Sequence, residues 1–116
     1  MPIRALQADL AQWRATQTYD SVVAIGLLMF FRCDDARAVL RQIRRAVAPG
    51  GIAAVNVLIE GTTYLAMFDP RGHCLFRRDE LQAAFADWKL LRASVDDFSA
   101  PGETLKRFAT VIAQRP

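Results

Sequence analysis

A strand, an amphipathic helix and a second strand follow one another between residues 19 and 59, and this stretch constrains the fold more than any other. Residues 21–25 form a short apolar run with two valines and no alternation, which is typical of a strand covered on both faces. Asp34 and Asp35 supply an N-cap and negative charge for the first turn of a helix. Apolar residues then recur at helical spacing at Ala36, Val39, Leu40, Ile43 and Val47.

The end of this helix and the strand after it are equally well marked. Pro49 cannot continue a helix, and Gly50-Gly51 allow the left-handed turn that redirects the chain. Residues 52–59 form a second apolar run, rich in β-branched residues. Two buried strands joined by a helix predict a βαβ unit with parallel strands and a right-handed crossover.

The C-terminal part predicts one further helix and a pair of strands. The helix is expected over 76–91, with Asp79 and Glu80 at its start. Strands over 90–97 and 105–113 flank a turn at 99–103. Two strands joined by so few residues predict an antiparallel hairpin at the edge of the sheet.

Several short motifs resemble those of the class I S-adenosylmethionine (SAM)-dependent methyltransferases. Tyr19-Asp20, which opens the first strand, and Ala48-Pro49-Gly50-Gly51, which closes the helix, are similar to a segment of that family. Other motifs resemble its tellurite-resistance (TehB-type) members: Leu28-Met29-Phe30, Phe76 followed by Glu80-Leu81, Trp88, and Arg107-Phe108-Ala109-Thr110. The resemblance extends over nearly the whole chain but matches only the second half of the family's domain.

The resemblance implies an α/β fold, namely a partial Rossmann-like methyltransferase sheet that lacks the first βαβα part. This sheet is expected to be mostly parallel with an antiparallel C-terminal edge hairpin, and residues 1–116 to form a single domain from the family's third strand onward. The implied function is methyl transfer from SAM to a small nucleophile or a metalloid oxyanion. The sequence contains no GxGxG, the Gly-rich SAM-binding motif, so we expect cofactor binding and catalysis to be impaired. The alternative is a non-catalytic dimeric interaction module derived from a methyltransferase.

The resemblance also implies positions that contact the cofactor. An acidic residue and its apolar neighbour bind the adenine in the family, and the loop after the next strand passes beside the methionine end of SAM. These positions fall on Asp9, Leu10, Ile25, Gly26 and Leu27. Asp9 can equally be the N-cap of a short helix over 10–16, because Asp before an apolar periodic stretch is also a helix-start signal.

Residues 60–78 predict a long loop after the second buried strand, at the edge where parallel sheets bind ligands. Its weak catalytic candidates are His73, Arg77 and Tyr64. The imidazole of His73 can act as a base near neutral pH, and Arg77 can neutralise an anionic substrate together with Arg71 and Arg78. A solvated basic loop with a solvated histidine explains the same residues without any site.

Two other groups of residues have a functional and a structural interpretation. Met29, Phe30 and Phe31 can form a soft wall of a substrate pocket, or ordinary core at the base of the helix. An arginine stripe on the helix can bind phosphates, although such stripes are usually the water-facing side of a helix. The stripe consists of Arg37, Arg41, Arg44 and Arg45.

Composition and cysteine usage predict a cytoplasmic, soluble protein without a metal. Of the 116 residues, 53% are hydrophobic, which favours a packed core, and the net charge of +3 is too small and too scattered to favour nucleic-acid binding. The longest apolar run, 22–31, is too short to span a bilayer, and no signal peptide is visible. Cys33 and Cys74 have no metal-ligand spacing and are expected to be free thiols, with His73 as the one histidine.

The absence of a leading strand has a physical consequence for the strand at 21–25. In the family's sheet, the first strand lies beside it, and without that neighbour its N–H and C=O groups are unpaired. Residues 3–8 alternate apolar and polar and predict a short strand. Either this strand fills the place, or a second copy of the chain covers the edge. We expect a homodimer with a two-fold axis.

Overall fold

The structure, a computed structural model, describes residues 17–66, 68 and 71–116. The predicted strand at 3–8 and the cofactor candidates Asp9 and Leu10 lie outside these residues. The described elements are β1 (Tyr19–Ala24), a 3-10 turn (Leu28–Phe30), α1 (Cys33–Ala46), β2 (Val47–Leu58), α2 (Glu80–Ala84), β3 (Lys89–Ala100) and β4 (Thr104–Gln114).

The described strands form one sheet in the order β1-β2-β4-β3. β1 and β2 are parallel, with Val22 opposite Ala53 and Val23 opposite Ala54. β4 pairs antiparallel with β2 on one side and with β3 on the other. The βαβ unit and the antiparallel edge hairpin predicted from the sequence are therefore confirmed.

Helix α1 covers one face of this sheet. Its apolar side, including Val39 and Ile43, packs in one cluster with Val55 and Val57 of β2 and Val111 of β4. Because strand side chains alternate between faces, the neighbouring residues of β2 point to the opposite face. A second, smaller cluster forms there at the end of β2 from Met29, Leu58 and Phe68.

β1 is not buried on both faces, contrary to the prediction from its apolar run. Ala24 is 4% exposed, but Val23 is 68% exposed. The reason is that α1 covers the face to which Ala24 points, and within the described residues nothing covers Val23. An apolar run shows that its residues can be buried. Whether they are buried depends on which neighbouring elements cover each face of the strand.

Both ends of α1 differ in detail from the prediction. The N-cap is Arg32, without a side-chain cap, and Asp34 and Asp35 lie in the first turn, where they complement the helix dipole. β2 begins directly after α1, at Val47. Tyr19 pairs with Val47 and Ser21 with Ile52, so β2 has extra residues between these two pairs. The expected Pro-Gly-Gly turn lies in this bulge at the start of β2.

The predicted helix over 76–91 is wrong in length, since α2 has five residues. Phe76 instead forms an isolated parallel bridge with Ile59, and its N–H donates to the Leu58 carbonyl at 2.8 Å. Turn-type hydrogen bonds continue as far as Trp88, whose N–H donates to the Phe85 carbonyl at 3.0 Å. None of the helices in the described ranges is long and apolar enough to cross a membrane.

Two arginines of the α1 stripe face the protein and attach the α2 region. The Arg37 guanidinium donates to both carboxylate oxygens of Glu80, at 2.6 and 3.2 Å, and lies 5.5 Å from the centre of the Phe76 ring. Arg44 makes the equivalent bidentate contact with Asp87, at 3.0 and 2.8 Å. The expectation of a wholly solvent-facing stripe is therefore wrong for these two positions.

The two cysteines form a disulfide, so the prediction of free thiols is wrong. Cys33 opens α1, Cys74 lies in the loop after β2, and their Cα atoms are 4.7 Å apart. The spacing of 41 residues gives no sign of this contact, which arises because both segments lie at the carboxyl end of the parallel strands. Among the described residues, no group of three or more His, Cys, Asp or Glu is placed to hold a metal.

We predict that Glu80→Gln lowers the free energy of unfolding by about 1–2 kcal/mol near neutral pH, because it removes a charge-assisted pair. The Arg37 hydrogen bond lowers the pKa of Glu80 from its ordinary 4.5. Its stabilising contribution is therefore complete above about pH 4.5 and is lost as the pH falls through the lower pKa of the folded state. Urea unfolding across this range should show the variant and the parent converging in acid. If the exposed control Glu60→Gln behaves identically, the pair is not the cause.

We also predict that reduction of the disulfide lowers the free energy of unfolding by about 4 kcal/mol, the chain-entropy value for a loop of this length. Urea unfolding with and without a phosphine reductant measures the effect. The double variant Cys33→Ser/Cys74→Ser is the control and should be insensitive to the reductant. An unchanged unfolding midpoint for the reduced parent would contradict the prediction.

Candidate functional site

The loop after β1 lies at the carboxyl end of the parallel pair and is held there by β2. Gly26 has a φ of 67°, and its N–H donates to Oδ1 of Asn56 at 2.7 Å. A Cβ built on Gly26 would have no atom within 4 Å, so the loop faces open space at this point. Ile25 is 54% exposed beside it, while Leu27 packs against the main core. The backbone is thus anchored on one side and accessible on the other.

Asn56 is a site residue that the sequence analysis missed. It is half-buried in an otherwise apolar strand, and its side-chain oxygen fixes the position of a loop thirty residues away. The available signal was the single amide within the run 52–59, since a polar residue in a buried strand needs a hydrogen-bond partner.

The loop after β2 folds over the same edge of the sheet. The N–H of Cys74 donates to the Met29 carbonyl at 3.3 Å, and the ring of Phe68 lies 5.4 Å from that of Phe30. Together with the disulfide, these contacts hold the loop against the 3-10 turn. The structure therefore brings the predicted substrate loop against the turn that directly follows the predicted cofactor loop.

The beginning of this loop is fixed to β4 by two threonines that the sequence analysis did not single out. Thr62 is 6% exposed, and its hydroxyl accepts from the Arg107 N–H at 3.0 Å and donates to the Arg107 carbonyl at 3.3 Å. The Thr63 hydroxyl accepts from the Leu105 N–H at 2.9 Å. Thr62 and Thr63 thus extend the edge of the sheet, and the loop starts from a rigid base.

Arg107 stabilises the same region with its side chain. Its guanidinium makes a bidentate contact with Asp97 on the neighbouring strand, at 2.7 and 3.0 Å. This hydrogen bond lowers the pKa of the Asp97 carboxyl from its ordinary 3.8. Gly61 lies against the guanidinium, and a Cβ there would come within 2.5 Å of Nη1.

The three catalytic candidates are held by different elements. Tyr64 is half-buried, with its N–H bound to the Leu105 carbonyl at 3.1 Å and the Lys106 ammonium 5.8 Å from its ring centre. His73 stacks on Phe68, with ring centres 5.9 Å apart. Arg77 is exposed and lies 3.9 Å from Glu80 at the start of α2. Of the three, His73 is the one that touches the small apolar cluster beside the cofactor loop.

The face of the sheet opposite α1 carries an exposed apolar surface next to the free edge of β1. Val23 of β1 and Ile25, which directly follows β1, are more than half exposed, and the neighbouring Ala54 and Ile112 are half-buried. Within the described residues, β1 pairs with β2 alone. In the part of the chain that the structure describes, this edge and this face together form one surface of unpaired backbone and aliphatic side chains.

Comparison with known proteins gives a family match and a shared fold. Residues 2–55 match the family model "Methyltransferase domain". No curated protein matches the sequence.

Among solved structures, TehB from Haemophilus influenzae is similar with a TM-score of 0.76 and 17% identity, over 96% of this chain and 40% of that one. The N-methyltransferase NodS from Bradyrhizobium japonicum, in complex with S-adenosyl-L-homocysteine, has a TM-score of 0.62 and 14% identity, over 94% and 52%. Magnesium protoporphyrin IX methyltransferase (ChlM) from Synechocystis, with bound SAM, has a TM-score of 0.60 and 13% identity, over 96% and 45%.

The chain thus spans roughly half or less of the length of these three structures. Identities this low show a common fold, and the family match covers the predicted cofactor-side segment. The resemblance inferred from the sequence is confirmed at this level: the chain carries the C-terminal half of a SAM-dependent methyltransferase fold.

Proposed function

We propose that this chain forms the acceptor-side half of a methyl-transfer site, in which a methyl group passes from SAM to a small nucleophile or a metalloid oxyanion of the tellurite-resistance type. The observation that carries the proposal is the shared position of two loops, 25–27 and 60–78, at the carboxyl end of one parallel strand pair. Open α/β sheets bind their ligands at this edge. The similarity to a TehB structure supports the choice of acceptor class.

The cofactor fits the loop after β1 at its methionine end. Gly26 has no side chain, so its backbone is accessible to a ligand from the open space beside it. The hydrogen bond to Asn56 keeps that backbone in place. Ile25 and Leu27 flank the glycine, and in this proposal Asp9 and Leu10 hold the adenine. SAM supplies an activated methyl group when bound, so the residues of this chain need only orient the two reactants and exclude water.

The acceptor lies, in this proposal, under the loop that carries His73. A lone pair of the nucleophile forms a bond to the methyl carbon while the carbon–sulfur bond breaks, and the electron pair stays on sulfur as S-adenosyl-L-homocysteine forms. His73 can take a proton from a protic nucleophile, Tyr64 can position it, and Arg77 can attract an anion into the loop. Met29 and Phe68 form an apolar, polarizable wall that suits a soft acceptor atom.

The absence of a GxGxG turn from the 116 residues limits this function. That turn lets the backbone approach the cofactor closely, and its role in binding is separate from that of the Gly26 loop. We therefore expect the chain alone to bind SAM weakly, in the millimolar range, and to transfer methyl groups poorly. Micromolar binding in calorimetry would contradict the impairment, and no heat at millimolar SAM would remove the enzymatic proposal in favour of the non-catalytic alternative.

We predict that Gly26→Ala weakens the response to SAM, measured by NMR chemical-shift titration, whereas Gly102→Ala does not. Both glycines have φ near 70° and open space where a Cβ would be, so both substitutions should cost about 1–2 kcal/mol of stability through the same backbone strain. Gly102 lies in the β3–β4 turn, away from the parallel pair. Equal loss of the SAM response in the two variants would show that the Gly26 loop is not part of the cofactor site.

A second candidate function, a non-catalytic dimeric interaction module, is favoured by the edge of β1, which is unpaired within residues 17–116 as far as they are described, and by the exposed aliphatic surface beside it. An open edge with apolar neighbours is a template for pairing with another strand. In an isologous dimer the two β1 edges lie together about a two-fold axis. This arrangement is compatible with either function, because the carboxyl-end loops lie at the end of the strand rather than along its edge.

We predict that the chain elutes as a dimer at micromolar concentration and that Val23→Lys shifts it towards the monomer, measured by size-exclusion chromatography with light scattering. The added charge lies on the apolar surface next to the paired edge and would have to be desolvated in the dimer. Leu91→Lys is the matched control, because Leu91 is 46% exposed on β3 at the far edge of the sheet. A clean monomer for the parent protein would contradict the dimer.

We also propose a cytoplasmic location, in keeping with a small-molecule methyltransferase. Disulfides are rare in the reducing cytoplasm, so the state of the Cys33–Cys74 pair in the cell tests this location. Acid quenching of intact cells followed by thiol labelling of the unfolded protein measures it: two labelled cysteines agree with the cytoplasm, and a persistent bridge contradicts it.

A further inference from the structure

A cleft rich in arginine lies at the amino end of the sheet, at the opposite end of the strands from the proposed methyl-transfer site. Its volume is about 400 Å³. The lining residues are Arg41, Arg44, Arg45, Asp87, Trp88, Arg115 and Pro116. The distance along the strands from this end to Asn56 is roughly 20 Å, at ~3.3 Å per residue with the bulge left out. The two sites are therefore separate.

One wall of the cleft is formed by the ion pair of Arg44 and Asp87, whose charges cancel. Arg44 binds Asp87 with both of its terminal nitrogens, and Nη1 also donates to the Ala84 carbonyl. Its guanidinium lies 5.5 Å from the centre of the Trp88 ring, which is nearly buried. Arg44 is thus fixed in position, and its charge is compensated by Asp87.

A second wall is formed by Arg115, which lies near the C-terminal end of the sequence and is held in position by hydrogen bonds. Arg115 exchanges backbone hydrogen bonds with β2, donating to the Gly51 carbonyl at 2.8 Å and accepting from the Gly50 N–H at 3.0 Å. Its Nη1 donates to the Val47 carbonyl, just beyond the end of α1. A long side chain that is already held in one geometry loses little further entropy when it binds a ligand.

Arg41 and Arg45 complete the cleft, and their charges are not compensated. Both are exposed, and within the described parts of the chain neither guanidinium has a hydrogen bond or an ion pair. Asp87, already paired with Arg44, is the one acidic side chain among the lining residues. The guanidinium groups of Arg41, Arg45 and Arg115 therefore line one cleft without a carboxylate side chain of their own.

The negative pole of α1 accounts for part of this clustering only. Cations in the last turn of a helix are stabilised by its dipole, and Arg44 and Arg45 lie in that turn. Arg41 lies a turn earlier, and Arg115 comes from the strand β4 side of the cleft, so the dipole does not explain why they converge there. Like charges that line one cleft repel one another, and an anion bound between them would remove that repulsion.

We propose that this cleft binds a small phosphate anion carrying more than one negative charge, of the size of pyrophosphate. Guanidinium groups bind phosphate oxygens through two parallel N–H donors, and several forks that converge on one cavity favour a multiply charged oxyanion over a single carboxylate. The site is independent of the proposed methyl-transfer function, because it uses none of the residues at the carboxyl end of the sheet.

Thermal unfolding of the full chain with increasing pyrophosphate, at an ionic strength matched with sodium chloride, tests the proposal. We expect a saturable rise in Tm for the parent and an apparent affinity weakened by about tenfold or more in Arg41→Gln/Arg45→Gln. The control Arg32→Gln/Arg92→Gln removes the same charge from exposed positions outside the cleft and should keep the parent affinity. Circular dichroism of each variant confirms that the fold is retained.

A second variant separates charge from geometry. Arg41→Lys/Arg45→Lys keeps the net charge but loses the bidentate forks, so it should bind more weakly than the parent and more tightly than the glutamine variant. The proposal is overturned if pyrophosphate has no effect beyond that of chloride, or if the control loses as much affinity as the cleft variant. It is also overturned if a single-stranded RNA oligonucleotide binds through the same arginines while pyrophosphate does not.

Discussion

The parallel pairing of β1 with β2 is the constraint on which the rest of the structure depends. Parallel strands end at the same edge, so the loops that follow them must lie side by side, whatever their sequences. Here that places Gly26 and the start of the loop after β2 at the same end of the sheet. The crossover helix α1 covers one face only, which buries Ala24 and leaves Val23 exposed. The candidate site and the unprotected surface are thus two consequences of the same arrangement.

The sequence predicted those elements whose signals are local. The helical spacing of Ala36, Val39 and Ile43 located α1, and turn residues located the hairpin. The predicted helix over 76–91 failed because Phe76 forms a bridge to Ile59, a contact between residues that no local pattern connects. The disulfide was missed for the same reason. Periodicity reports the local preference, and tertiary pairing overrides it where the two disagree.

The residues of the candidate site also divide into those that the sequence analysis predicted and those that it missed. Gly26 was found because the family resemblance marks the loop after the strand, and its positive φ and its open surroundings give that position a physical meaning. Asn56 and Thr62 were missed, although each is a polar side chain among apolar neighbours and each holds a loop through a hydrogen bond. Single buried polar residues are therefore a useful sequence signal for the supports of a site, because burial without a partner would be costly.

The four arginines of the α1 stripe differ in their contacts because they lie at different angles around the helix axis. At 100° per residue, Arg44 and Arg37 lie at nearly the same angle around the axis, whereas Arg41 and Arg45 are rotated by roughly 40° and 80° from Arg37. The first pair faces the α2 region and finds Glu80 and Asp87. The second pair is turned away from these carboxylates. A stripe that looks uniform in sequence is therefore divided by angle into Arg37 and Arg44, which pair with carboxylates of the α2 region, and Arg41 and Arg45, which do not.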